Sequence, residues 1–356
     1  MSSKRVKSIR WESGNLYLLD QTKLPHQMVE EKQNSIGQVW DSIKQMKVRG
    51  APAIAIAGVY GLVIGMKDKT PLPPQDFMAE LYNQSDYLKK SRPTAVNLTW
   101  ALNRVINKVK ASLKKSESTA GDSSSLYKTL IQEAEMIHRE DEDICKKIGE
   151  NGLQFIMPGM GILTYCNAGA LATGGIGTAT APMYLAHEKG IPFHVFACES
   201  RPVLQGARLT AWELQRAGID VTLITDNMAS ILFARGMVDM VMVGADRVAA
   251  NGDTANKIGT LGIAIMAQYY SVPFYVALPI STIDVATATG REITIEERDG
   301  EEVTSMGGVR IAPEGVKVIN PAFDVTPGEL ITAFITEKGI ISKQFNSNLA
   351  EIAASR

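Results

Sequence analysis

The chain has 356 residues, 45% of them hydrophobic and 21% charged, with a formal net charge of −1. This length admits two domains and a sizeable core, and the composition is that of an ordinary soluble globular protein. With charge balanced and no stripe in which Lys and Arg interleave with aromatics, a nucleic-acid surface is not indicated.

Residues 2–10 (SSKRVKSIR) are basic but lead into Trp11-Glu12 rather than an apolar stretch, so no secretory signal is expected and the setting reads as cytoplasmic. Residues 6–19 alternate well enough for two short strands joined at Ser13-Gly14-Asn15, a hairpin. Over 35–47 apolar positions recur at helical spacing. Val48-Arg49-Gly50-Ala51-Pro52 interrupts them, and Pro52 suits the first turn of the next helix. The uncharged run Ala51–Met66 would span roughly 24 Å as a helix, short of a ~30 Å hydrocarbon core, so it reads as a buried helix with no membrane partner. Helices should dominate to about residue 114. The small, polar stretch 116–125 (SESTAGDSSS) marks a junction. The predicted domains are therefore 1–125, mainly helical with a β-hairpin, and 126–356. Residues 126–150 open the second as a long amphipathic helix, with Leu130, Ala134, Ile137 and Ile144 on or near one face.

From about residue 160, short apolar runs alternate with helical segments: GILTYC, FHVFAC, DVTLIT, MVMVGAD, PFYVAL and VKVIN. That alternation predicts an α/β fold with a doubly wound, mostly parallel sheet. Polar residues collect where the strands end, at Cys166-Asn167, Glu199-Ser200-Arg201, Asp226-Asn227, Asp246-Arg247, Ser281 with Asp284, and Asn320 with Asp324. In such sheets the ligand crevice lies beyond those carboxyl ends. Residues 240–260 (MVMVGADRVAANGDTANKIGT) read as strand, loop and helix. The strand delivers Asp246 as an acid or base, and Ala255-Asn256-Lys257 opens the helix as a binder of an anion or hydroxyl.

Several chemistries are excluded. Residues 169–179 (GALATGGIGTA) contain Gly175-Ile176-Gly177, but the GxG falls well past the turn after the strand and Thr180 stands where the third Gly or Ala belongs, so no dinucleotide site is expected. The four histidines, His26, His138, His187 and His194, show no metal-ligand spacing, and His194, in an apolar strand, reads as a core residue or satisfied hydrogen-bonder. There is no GxSxG elbow. No metal or cofactor is predicted.

The three cysteines form no CxxC, which favours free thiols in a reducing compartment. Cys145 and Cys198 read as structural. Cys166 ends a strand before Asn167-Ala168-Gly169, a turn whose N–H groups can lower a thiol pKa; alone it could equally be an inert small residue. Asp246 could be only a cap or the ion-pair partner of Arg247. Together they offer two proton-transfer groups whose pKa values burial can push toward neutrality. Arg49-Gly50-Ala51, ahead of a Pro-initiated helix, suits phosphate, or is a surface arginine at a loop. Ser91-Arg92-Pro93-Thr94 is similar but weaker. Gln205 could bond sugar hydroxyls or cap the helix that follows.

KVRGAPAI (47–54), SRPTAVNLTWAL (91–102), CNAGALAT (166–173), ESRPVLQGARLTAWEL (199–214), VGADRVAANGDTANKIGT (243–260) and NPAFDVTPGELITAFITEKG (320–339) resemble the 5-methylthioribose-1-phosphate isomerase family of methionine salvage. Its relatives are the regulatory α, β and δ subunits of the translation-initiation exchange factor and ribose-1,5-bisphosphate isomerase. The resemblance covers nearly the whole chain. It implies an N-terminal, mainly helical domain with a small β element, then a Rossmann-like domain, in a homodimer acting on a small sugar phosphate. The family's catalytic pair falls on Cys166 and Asp246, and its phosphate and sugar contacts on Arg49, Gly50, Ala51, Arg92, Gln205, Asn256 and Lys257. Where the family commonly reads THCNAG, this chain has Tyr165 before Cys166; strand alternation equally lets residue 165 point away from the site.

The implied reaction converts a 5-substituted ribose 1-phosphate to the ribulose 1-phosphate. Phosphate on C1 blocks ordinary ring opening, so an acid must help break the ring C–O bond. Neutral Asp246 is the expected donor and Cys166 the group that handles the C2 proton or the developing charge, with a direct hydride shift left open. Lys257 as a Schiff-base former is a rival role, but the substrate offers no open carbonyl at the start. The alternatives are an isomerase of 5-deoxyribose 1-phosphate and a non-catalytic sugar-phosphate or nucleotide-sensing subunit.

Overall fold

A computed structural model describes residues 5–93, 95–115, 122–343, 345, 349 and 351. By its internal contacts the chain divides into two units, and the division falls between Asp143 and Ile144, inside one long helix, rather than at residue 125. Of the polar stretch expected to mark the junction, residues 116–121 lie outside the described residues.

The helical unit contains Val6–Asp143 and, returning later in the sequence, Ala170–Gly177. Its first strands, β1 (Ile9–Glu12) and β2 (Asn15–Leu19), pair antiparallel as the hairpin read from sequence. Ser13 and Gly14 both take positive φ, 49° and 74°, which the tight two-residue turn requires. A third strand, β3 (Glu30–Gln33), completes the sheet; its sequence, EEKQ, carries no strand signal, and its pairing with β2 creates it.

Helix α1 (Ile36–Lys44) is capped by Ser35, whose Oγ accepts from Gln38 N at 3.2 Å. The others are α2 (Ala51–Met66), α3 (Pro74–Lys89), α4 (Val96–Lys115) and α5 (Ser124–Leu153), the last running into the second unit. Helix α2 is apolar on every side because it is surrounded: Ile56, Val59, Leu62 and Val63 are buried in a core shared with residues of α1, α3, α4 and α5. Each such side chain contributes about 1.5–3 kcal/mol by leaving water.

The second unit alternates strands and helices: β4 (Gly161–Thr164), α6 (Ala181–Glu188), β5 (His194–Cys198), α7 (Ala211–Arg216), β6 (Val221–Ile224), α8 (Ala229–Ala234) and β7 (Met240–Val243). Next come a hairpin, β8 (Arg247–Ala249) and β9 (Thr254–Lys257), then α9 (Thr260–Tyr269) and β10 (Phe274–Ala277). The short β11 (Ile283–Asp284), β12 (Ser305–Met306) and β13 (Val309–Arg310) precede β14 (Phe323–Thr326), β15 (Ala333–Thr336) and β16 (Gly339–Ser342). Seven strands form one sheet in the order β16-β15-β10-β7-β4-β5-β6, parallel except at the β16 edge. A smaller sheet, β11-β8-β9-β14, carries the hairpin beyond β7.

Two readings are corrected. Ala255-Asn256-Lys257, read as the opening of a helix, lie in strand β9, because β8 and β14 flank that strand antiparallel on both sides. The helix begins later, after Gly259 at φ 104°. VKVIN is not a strand: it makes no ladder, and Val316 and Ile319 are exposed. The sheet is completed instead by AFIT and GIIS, in β15 and β16.

Candidate active site

Strands β4 and β7 are parallel neighbours, with Leu163 opposite Val241, so the loops leaving them emerge side by side at the carboxyl edge of the sheet. One carries Cys166 and the other Asp246. Thr164 Oγ1 donates to Met242 O at 2.8 Å, and the loops touch beyond that point: a Cβ on Gly244 would sit 2.6 Å from the Cβ of Ala168. The two candidate catalytic residues are thus delivered by adjacent, mutually packed loops. The loop after β5, the neighbour on the other side, supplies Gln205.

Cys166 is half-buried and adopts φ 63°, a left-handed conformation that costs a non-glycine residue about 1–3 kcal/mol and persists only when held. Here it is held at both ends. Its N–H donates to Ser200 Oγ at 2.7 Å, and its carbonyl accepts from Thr210 Oγ1 at 2.6 Å. Thr210 ends a five-residue π-turn, Gly206–Thr210, and also accepts from Asn167 Nδ2 at 3.1 Å. The N–H of Cys166 is therefore engaged by Ser200 rather than turned on its own thiol. Cys145 and Cys198 are buried, and burial, reinforced by Asp226, pushes the Cys198 thiol far above its usual range. His194 bonds Asp220 Oδ2 at 2.8 Å and Thr222 Oγ1 at 2.9 Å, a satisfied polar residue.

Asp246 opens the β8–β9 hairpin, its N–H donating to Ala255 O at 2.9 Å. Its side chain is exposed in this chain, not buried as the sequence reading required. Its neighbour Arg247 pairs with Asp284, at 3.7 Å. Asn256 and Lys257, on β9, are both buried. Asn256 Nδ2 donates to Thr260 Oγ1 at 3.1 Å, while Lys257 Nζ lies 5.0 Å from the centre of the Phe323 ring, a cation–π contact. Burial pushes the nearby Glu302 carboxyl up, but Arg298, Asn320 and the Lys257 charge hold it below the usual range. The anion-receiving role expected of the helix start is filled within the fold: Asp324 accepts from Gly259 N at 2.7 Å and Leu261 N at 3.1 Å, capping α9.

Gln205 does not cap the following helix. Its Oε1 is buried and, among the described residues, has no hydrogen-bond partner, an acceptor suited to a ligand hydroxyl. Arg49, Gly50, Ala51 and Arg92 belong to the helical unit, the first three at the start of α2 and Arg92 between α3 and α4. Sequence reasoning missed the supports around Cys166. Ser200 and Asp226 were visible as polar residues at strand ends; Thr210, inside a helical stretch, gave no signal.

The sequence profile of the Initiation factor 2 subunit family matches residues 47–343. The chain belongs to that family. It is 53% identical over 357 residues to a 5-deoxyribose 1-phosphate isomerase of Bacillus thuringiensis serovar kurstaki, covering 99% of each chain. A methylthioribose-1-phosphate isomerase of Geobacillus thermodenitrificans is 51% identical over 348 residues, 98% of this chain and 96% of the relative. Among solved structures, 5-methylthioribose 1-phosphate isomerase from Pyrococcus horikoshii OT3 superposes with a TM-score of 0.92 at 39% identity, covering 99% of this chain and 97% of that one. Translation initiation factor eIF-2B subunit delta from A. fulgidus also matches, with a TM-score of 0.89 and 42% identity, over 98% and 99% of the two chains.

Proposed function

We propose that this chain is an aldose–ketose isomerase of 5-substituted ribose 1-phosphates, converting 5-methylthioribose 1-phosphate to 5-methylthioribulose 1-phosphate in methionine salvage. The observation that carries it is the delivery of a thiol and a carboxylate, Cys166 and Asp246, by adjacent loops of a chain about half identical to isomerases over its full length. Both groups stand within intact motifs, which favours the enzyme over a sensing subunit. A second reading, 5-deoxyribose 1-phosphate as substrate, is favoured by the relative of that name at 53% identity. Apolar pockets separate methylthio from methyl by about 1–3 kcal/mol, so one site can serve both sugars.

Asp246 donates a proton to the ring oxygen as the C1–O bond breaks. Its carboxyl is exposed in the chain, so the exclusion of water from it comes with bound substrate. Two routes complete the isomerisation. Either Cys166, as base, takes the C2 proton, C1 is reprotonated and the C2 hydroxyl loses its proton, or the C2 hydrogen shifts to C1 as hydride while the C2 hydroxyl loses its proton. Either leaves a carbonyl at C2 and the phosphate on C1. Gln205 and Asn256 bind sugar hydroxyls, and Lys257 binds the phosphate. The working form is a homodimer in the cytoplasm, so light scattering should give about twice the 38.6 kDa chain mass.

An NMR time course in deuterated water with 5-methylthioribose 1-phosphate, run in parallel with 5-deoxyribose 1-phosphate, tests the reading. Ketose product is expected. Deuterium at C1 identifies proton transfer through exchanging groups, and its absence favours hydride shift. No product from either sugar would overturn the enzyme assignment in favour of a sensing subunit.

A further inference from the structure

Asn256 and Lys257 close the strand that leads into α9, and the residue opening that helix decides which way the Asn256 amide is turned. Thr260 is buried, and its Oγ1 donates to Lys257 O at 2.7 Å. A carbonyl oxygen can only accept, so the one hydroxyl proton is committed there and Oγ1 has only lone pairs to offer a neighbour. The Asn256 side chain meets Oγ1 at 3.1 Å and must therefore present its NH₂ group. The amide oxygen, on the other branch, takes no hydrogen bond among the described residues.

Thr260 is itself fixed. The N–H groups on either side of it, of Gly259 and Leu261, donate to the Asp324 carboxylate at 2.7 and 3.1 Å, and Asp324 stands directly across the antiparallel ladder from Asn256. On its other side Gly259, at φ 104°, packs so closely on the buried Tyr165 that a Cβ there would fall 2.1 Å from the phenol oxygen. Only glycine accepts that approach and that backbone together. The start of α9 is thus clamped, and the Asn256 amide turns to suit Thr260.

We propose that Thr260 is a positioning residue of the sugar site: it turns the Asn256 amide oxygen toward the ligand, which makes Asn256 an acceptor for a ribose hydroxyl and not a binder of phosphate. Gln205 Oε1 is likewise an acceptor, so the site offers two places for hydroxyl donors. A phosphate dianion brings only acceptor oxygens and is refused by both. The proposal rests on the sugar-phosphate reading above and deepens it by dividing the labour of the adjacent pair, Lys257 for charge and Asn256 for hydroxyl.

The test uses the full chain. Thr260→Val keeps the shape and removes the hydroxyl, and Thr260→Ser keeps the hydroxyl and removes the methyl; each is made alone and together with Asn256→Ala. Two quantities are read: kcat and KM with 5-methylthioribose 1-phosphate, and the dissociation constant of that sugar by calorimetry in an Asp246→Asn background, where the ligand persists. One hydrogen bond is worth about three- to tenfold in affinity, so Thr260→Val should weaken binding and raise KM by that factor, with kcat held within about threefold. Thr260→Ser should bind within about twofold of the parent, since it retains both hydrogen bonds. On Asn256→Ala, Thr260→Val should add less than about twofold, because Thr260 acts through the missing amide.

A loss that persists in full on Asn256→Ala, a Thr260→Ser variant as weak as Thr260→Val, or unchanged binding in Thr260→Val would overturn the proposal. If the unmodified chain binds the sugar without turning it over while the Thr260 variants respond as stated, the isomerase reading fails and the role of Thr260 stands. No binding by the unmodified chain would overturn both.

Discussion

At the scale of single residues, the site combines exposed chemistry with constrained backbone. Asp246 lies in the open while Cys166 is pinned in a conformation that few side chains adopt. The two therefore respond differently to substitution. Asp246→Asn should lower kcat by at least about 10²-fold, the lower range of general-acid help, while leaving stability within about 0.5 kcal/mol, as for surface changes generally. Steady-state rates and a urea midpoint on the same preparation check both halves. Turnover near that of the unmodified chain would remove Asp246 from the chemistry. Cys166 and Asp246 were legible because each ends an apolar run with a polar residue where an α/β sheet places its crevice. The supports behind Cys166 were not, since Ser200 and Asp226 matter through 2.7 Å contacts between segments more than 25 residues apart in the chain.

At the scale of elements, the β8–β9 hairpin carries Asp246 at one end and Asn256-Lys257 at the other, so its turn sets their separation. Asp253 ties that turn down: its carboxylate accepts from Asn251 Nδ2 at 2.9 Å, Gly290 N at 2.9 Å and Gly328 N at 3.0 Å. Burial pushes the Asp253 carboxyl up, but these bonds and the Arg291 charge outweigh it and hold the group below its ordinary value. A carboxyl lowered in the fold stabilises it above the unfolded-state pKa, about 3.9, and that contribution is lost as pH falls through the lower folded value. Asp253→Asn should accordingly be less stable than the parent at neutral pH, and the gap in melting temperature should narrow below about pH 4. A gap that stays constant down to pH 2.5 would mean that the charge on Asp253 does not matter. This hairpin is also where the sequence misled. TANK has no strand propensity of its own and becomes strand only by lying between β8 and β14, the latter contributed by residues 323–326. Strands β4, β5 and β7 were legible for the opposite reason: parallel strands covered on both faces are almost wholly apolar, and MVMV needs no partner to announce itself.

At the scale of the whole molecule, length and composition allowed two domains, and the alternation after residue 160 gave the α/β class. The division itself was not legible, because it depends on a segment that leaves and returns. Four residues after Cys166 the chain enters Ala170–Gly177, which belongs to the helical unit, and rejoins the sheet unit at Thr178. The segment is built into the helical core. Gln21 Nε2 donates to Leu171 O at 2.7 Å, Ser8 Oγ to Thr173 O at 3.0 Å, and Gly174 N to Asp141 Oδ2 at 2.7 Å. A Cβ on Gly50 would fall 2.4 Å from Ala172 O, so that segment closes over the start of α2. Residues 6–143 expressed alone lack these partners and should fail to give a cooperative melt by circular dichroism. A sharp transition in that fragment would show that the helices suffice without the returning segment.

The same excursion bears on how such a chain can change over generations. A module continuous in sequence can be acquired, lost or exchanged by one recombination at each of its ends, but the helical unit is encoded in two separated pieces, the smaller embedded just after the Cys166 turn. Any exchange that replaced residues 6–143 while leaving 170–177 behind would pair helices with a foreign closing segment, and any exchange that carried 170–177 along would cut within a few residues of the thiol. The two units are bound to a shared ancestry by the route of the backbone, and substitutions in one are inherited with the other.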